Sequence, residues 1–131
     1  MTAAKDTQPP GQGWLQIIRE ESLEAFAGHF AQDATLDASV LDEQVKGPRG
    51  IRRLFSATAS MYETFAFTRE TTQGSRTYLE WEGTTLGLAV VGVTILARNS
   101  VGKIESVRLM HCPRQPLLAF SAELARRLHA G

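Results

Sequence analysis

One cysteine, Cys112, is all the thiol chemistry that the 131 residues contain. A lone thiol excludes an intramolecular disulfide framework and any zinc site built from several thiolates, and it suits a reducing, cytoplasmic setting. Net charge is also lacking, since 14 Lys and Arg stand against 14 Asp and Glu. Without a basic field to draw a polyanion, nucleic acid is not an expected partner. Long apolar runs are missing too. The longest, the 12 residues from Leu86 to Ala97, is interrupted by Gly87, Gly92 and Thr94 and is too short to cross a bilayer as a helix, so no membrane association is expected. No apolar stretch follows Lys5 and Asp6, so no signal peptide is read there. His29, His111 and His129 lack metal-ligand spacing and no carboxylate cluster accompanies them, while Gly47-Pro48-Arg49-Gly50 is no phosphate loop. Neither a metal nor a cofactor is expected.

What is present is the balance of an ordinary globule, 43 % hydrophobic and 21 % charged, in a chain long enough to bury roughly two-thirds of its unfolded surface. Residues 1–13, with Pro9, Pro10 and Gly11 but no apolar period, read as a flexible leader before a single domain over 14–131. Trp14, Leu15, Ile17 and Ile18 open a first helical region. Ser22 precedes a second, where its hydroxyl can accept from an orphaned amide of the first turn. Alternation around Ala34, Leu36 and Ala38 suggests a first strand. Ile51, Leu54, Phe55, Thr58 and Tyr62 then fall at helical spacing, predicting a helix over about 48–62 with Pro48 in its first turn. Residues 64–72, 76–82, 85–98 and 103–112 are rich in β-branched and aromatic side chains and separated by turn residues, which predicts a four-strand antiparallel meander. Leu117, Phe120, Leu124 and Leu128 make a closing helical stripe. This order places helices on one face of a curved antiparallel sheet, an α+β arrangement whose concave interior either fills with side chains or holds a ligand.

Three pieces of the sequence then carry a resemblance: Phe30-Ala31-Gln32-Asp33-Ala34-Thr35-Leu36, Gly47-x-x-Gly50-Ile51-x-x-Leu54-Phe55, and Gly102-Lys103-Ile104. In this order and spacing, over about residues 14–112, they resemble the nuclear transport factor 2-like, SnoaL-like or ketosteroid-isomerase-like superfamily. The resemblance implies a cone-like, cystatin-like barrel of curved antiparallel sheet wrapped around helices. It does not carry over the best-known mechanism. The isomerase general base lies five residues after the aspartate that matches Asp33, which here is Ala38. Tyrosines of the family are matched by Phe30 and Phe55, and the oxyanion-hole acid by Thr94. Proton abstraction beside a carbonyl needs a base and an oxyanion donor, and Ala38 and Phe55 can be neither.

Alternation assigns faces to the strands. With Trp81 inward, Leu79 and Thr77 follow, while Tyr78, Glu80 and Glu82 face out; Leu88, Val90, Gly92, Thr94 and Leu96 share one face, as do Val107, Leu109 and His111. His111, at the end of the last strand, is the candidate catalytic residue, because an imidazole titrates near neutrality; its structural alternative is a ring bonded to a nearby carbonyl. Trp81, Thr94, Tyr62, Phe55, Leu79, Val90, Leu109 and His29 are the candidate ligand-binding residues, each with packing or helix capping as the plainer alternative. Asp37 sits next to the isomerase-base position, but alternation with Ala38 turns it outward unless a bulge intervenes.

Two functional classes follow. In the first, a cytoplasmic homodimer binds a small apolar or aromatic molecule in a hydrophobic pocket of each cone, with general acid–base catalysis through His111 as an added possibility. In the second, the core is filled and the chain is a non-catalytic dimeric interaction module. Both place the dimer on the outer sheet face, where Glu80, Glu82, Arg98, Glu105 and Arg108 would make it partly charged.

Overall fold

The structure, a computed structural model, describes residues 8–130, so residues 1–7 of the expected leader lie outside the described residues. Helix α1 (Gln12–Ile18) begins two residues before Trp14. Its start is fixed by Gly11, which adopts φ 79° and donates its N–H to Glu70 Oε1 at 2.8 Å. A Cβ at Gly11 would lie 2.3 Å from the Phe67 ring, so both conformation and contact require glycine. Helix α2 (Leu23–Ala27) is capped as its sequence predicts, Ser22 Oγ accepting from Ala25 N–H at 3.0 Å.

Strand β1 (Phe30–Ala38) turns back on the two-residue β2 (Val45–Lys46). Helix α3 (Gly47–Thr58) follows, with Gly47 at φ 83° and Pro48 in the first turn, and it buries Ile51 and Leu54 on the β1 side. Four strands complete the sheet: β3 (Thr64–Gln73), β4 (Arg76–Thr85), β5 (Leu88–Arg98) and β6 (Ile104–Cys112). Helix α4 (Arg114–Ala130) closes the chain, burying Phe120 and Leu124 from the predicted stripe.

The sheet order is β2-β1-β6-β5-β4-β3, with β5 and β6 central. The meander β3 to β6 is antiparallel throughout, but β1 pairs with β6 in parallel, so the sheet is mixed where an antiparallel one is expected. The physical reason is the long connection: β1 reverses through β2, α3 carries the chain to the far edge, and a meander of four strands returns β6 in the direction of β1. Register shifts interrupt three of the pairings, between Phe30 and Thr35, Phe67 and Arg69, and Ala97 and Arg98. Each irregularity bends its strand, and the curved sheet remains open between its edges β2 and β3.

Alternation holds along β4, where Thr77, Leu79 and Trp81 are buried and Tyr78, Glu80 and Glu82 exposed. It departs from expectation at Arg98. Two residues beyond buried Leu96 on an unbroken β5, it shares the inner face, not the outer one, and its guanidinium donates to Thr77 Oγ1 at 2.9 Å. The core clusters Trp14, Phe26, Phe30, Leu36, Ile51, Leu54, Leu79, Leu96, Ile104, Val107, Phe120 and Leu124 between the helices and the concave face.

Candidate functional site

The core does not fill the cone. A cavity of about 450 Å³ lies between the concave sheet and α1, α3 and α4, which places it within the usual size range of small-molecule sites. His111, Trp81, Thr94, Tyr62, Phe55 and Leu109, all anticipated from sequence, line it together. Leu79 and Val90 do not. Both belong to the concave side but are only 1 % exposed and stand outside the lining, because alternation fixes the face of a residue and not its access to the cavity. His29 also lies elsewhere, at the α2–β1 junction, with Nε2 2.9 Å from Glu20 Oε2. Ala38 lines the cavity while Asp37 accepts from Gln44 Nε2 at 3.2 Å outside it. The β1 irregularity falls before Thr35, so it leaves the Ala38-inward, Asp37-outward order intact.

Three further aromatic walls lie outside the set expected from sequence. Phe65 and Phe67 enter from β3 and Phe120 from α4. The spacing of Phe65 and Phe67 put both on one strand face and was the available signal, whereas Phe120 is indistinguishable from core within its stripe. Together the rings form a continuous sleeve. Trp81 stacks on Phe65 at 5.1 Å and meets His111 edge-on at 5.1 Å; Phe120 approaches His111 at 4.9 Å and Tyr62 at 5.2 Å. Such pairs contribute about 1 kcal/mol each beyond their burial.

Gly92 makes this arrangement possible. Trp81, Gly92 and His111 stand in one cross-strand row, and a Cβ at Gly92 would lie 2.1 Å from Trp81 Cζ2 and 2.4 Å from the Met110 carbonyl oxygen. The indole therefore lies across bare backbone.

Polar groups inside are few and paired. Tyr62 Oη is 3.0 Å from His111 Nε2, Trp81 Nε1–H donates to Thr94 Oγ1 at 3.2 Å, and the His111 backbone N–H donates to Ser39 Oγ at 2.9 Å. His111 Nδ1 is shut away from water and has no hydrogen-bond partner among the described residues. Burial lowers the His111 pKa from 6.5 to about 4 and raises that of Tyr62 above its ordinary 10, since desolvation disfavours the charged form of each. The pair is neutral across the physiological range. Charges stand at the rim instead, on Arg19, Glu20, Arg52 and Glu63. Arg52 donates to the Glu20 and Glu21 carbonyls at 3.4 and 2.8 Å, tying α3 to the loop after α1. Among the described residues no group of three or more His, Cys, Asp or Glu could hold a metal ion, and no helix is long and apolar enough to cross a membrane.

An open curved sheet roofed by helices, with an aromatic cavity inside, defines an α+β cone. Solved structures described as cystatin-like, SnoaL-like, NTF-2 like and ketosteroid isomerase-like share this fold at low sequence identity. A steroid delta-isomerase from Pseudomonas aeruginosa is similar with a TM-score of 0.79 and 20 % identity, over 90 % of this chain and 88 % of that one. A SnoaL-like family protein from Agrobacterium tumefaciens is similar with a TM-score of 0.58 and 18 % identity, over 79 % and 94 %. A protein with a ketosteroid isomerase-like fold from Catenulispora acidiphila, solved in complex with trimethylamine, gives 0.59 and 21 %, over 83 % and 88 %. No protein-family model and no curated protein matches the chain.

Proposed function

We propose that the chain is a small-molecule-binding cone that takes an apolar or aromatic molecule into the cavity and holds it against the Tyr62–His111 pair. The observation that supports this most is the cavity itself, about 450 Å³ with an aromatic sleeve and two hydrogen-bonded side-chain pairs, Tyr62–His111 and Trp81–Thr94. A filled interaction module would leave no such space, and its lining would not need Gly92 to keep an indole flat. The Catenulispora neighbour, whose structure contains a small molecule, is consistent with a cone of this kind acting as a container.

The test is a thermal-shift screen of small aromatic and alicyclic metabolites, followed by calorimetry on the hits. Stabilisation grows with the logarithm of ligand concentration over Kd, so weak hits rank correctly. A one-to-one ligand whose affinity falls at least tenfold in Trp81→Ala supports the reading. Hits indifferent to Trp81, Tyr62 and Phe55 alike refute it.

A second reading adds turnover. It requires the neutral His111 ring to carry its lone pair on Nε2, toward Tyr62, where burial keeps it unprotonated at neutral pH and it would serve as a base, not as an acid. Loss of turnover in His111→Ala with retained ligand-induced stabilisation is its signature. The homodimer through the outer sheet face and the cytoplasmic setting belong to the same proposal. The outer face supports the first by exposing Val91, Met110 and Tyr78.

A further inference from the structure

Building on the cavity-binding reading, we infer that His111 is a positioning residue. Its Nε2–H holds Tyr62 Oη as an acceptor, which leaves the phenolic proton for the occupant, so the preferred ligand carries a neutral oxygen acceptor rather than a pure hydrocarbon frame. The argument starts from the unpartnered Nδ1. A neutral imidazole has one N–H and one lone pair. If Nδ1 held the proton, a buried N–H would be left with no acceptor, an arrangement that folded proteins rarely keep. With the proton on Nε2, it is used by Tyr62 Oη at 3.0 Å, and only a lone pair is orphaned at Nδ1. That tautomer is also the one neutral histidine prefers in water. His111 is 7 % exposed and its backbone N–H is committed to Ser39, so the ring is held in place.

Thr94 repeats the pattern. Its Oγ1 accepts from Trp81 Nε1–H, and its hydroxyl donates to no protein acceptor among the described residues. In both hydroxyls an N–H from the aromatic sleeve occupies the oxygen, and the proton remains unspent. Both residues line the cavity, whereas Nδ1 is buried away from it, so within the aromatic sleeve the polar hydrogens offered to an occupant are hydroxyl protons, the guanidinium donors of Arg19 and Arg52 standing at the rim. A ligand oxygen satisfies them; an alkyl group in the same place leaves them unmet.

Two measurements decide this. Two-bond proton–nitrogen correlation spectra of the ligand-free protein at neutral pH should show His111 protonated at Nε2 and bare at Nδ1; protonation at Nδ1 overturns the assignment. Calorimetry with 2-acetylnaphthalene and its hydrocarbon counterpart 2-ethylnaphthalene should show the ketone binding about fivefold tighter, the ratio expected of one net hydrogen bond. Tyr62→Phe should lower that ketone-to-hydrocarbon ratio to below about twofold, and an undiminished ratio in that variant overturns the assignment of the phenolic proton to the occupant. Equal binding of both probes to the wild type overturns the inference and leaves the cavity-binding reading standing. Failure of both to bind counts against that reading, and the spectra still decide the tautomer.

Discussion

His111 carries a cost of burial that depends on pH. Its folded pKa of about 4 lies below the ordinary 6.5, so between these values the unfolded chain binds a proton that the folded chain refuses. Stability from this source is complete above the upper value and declines as the pH falls through the window, by roughly 3 kcal/mol once the lower one is passed. Chemical denaturation at neutral pH and at about pH 4.5 should therefore show a steeper loss for the wild type than for His111→Gln, which cannot titrate. Parallel losses would remove the buried-neutral assignment. Gly92 is the second residue with a sharp expectation. Gly92→Ala collides with both the Trp81 ring and the Met110 carbonyl, at a cost of about 1–3 kcal/mol for overpacking. A lowered melting temperature together with a changed near-ultraviolet dichroism of tryptophan would report it, and an unchanged spectrum would mean the indole does not lie across that backbone.

Among the elements, α1 is the one whose attachment can be tested separately from the rest. It spans only seven residues, too few to be stable as a helix in isolation. Trp14 anchors it against Phe30 and Phe55, Gly11 fixes one end to Glu70 on β3, and Arg52 grips the carbonyls beyond the other. Trp14→Ala should raise amide exchange over residues 12–18 by an order of magnitude or more while exchange in β5 changes far less; uniform acceleration across the sheet would show instead that α1 is integral to the global fold. This anchoring also shows where sequence is informative. Ser22 before LEAFAGHF, Pro48 before an amphipathic stripe and the turn residues between Thr64 and Cys112 are local signals, and α2, α3 and the meander follow from them. The parallel β1–β6 pair, the two-residue β2 and the helical start at Gln12 are set by partners distant in sequence, Val107, Thr35 and Glu70 among them, and no window of neighbouring residues encodes them. The candidate site divides in the same way. Alternation identifies the faces of Trp81, Thr94 and His111, but which residues of that face meet the cavity depends on packing by segments distant in sequence: Leu79 is buried in the core although it shares a cross-strand row with Thr94.

At the scale of the molecule, the sheet has two faces, and the cavity uses only one. On the convex side the cross-strand rows run Tyr78–Ile95–Arg108, Glu80–Val93–Met110 and Glu82–Val91–Cys112, an apolar band with acidic residues on β4 and a basic one on β6. Val91 is 47 % exposed and Met110 41 %, which is more apolar side chain than a central strand ordinarily leaves to solvent. A two-fold pairing sets such a patch against itself, and with the two sheets crossing, the Arg108 row of one copy can approach the Glu80 and Glu82 rows of the other. Light scattering of the wild type at tens of micromolar should accordingly give twice the chain mass. Val91→Glu places two like charges at the centre of that contact and should yield a monomer. Because the cavity opens on the opposite side of the sheet, that monomer should bind the cavity ligand with an affinity within about twofold of the dimer's. A monomeric wild type would exclude the outer face as an interface, and a monomeric Val91→Glu that no longer binds ligand would mean that sheet curvature, and with it the cavity, depends on the partner.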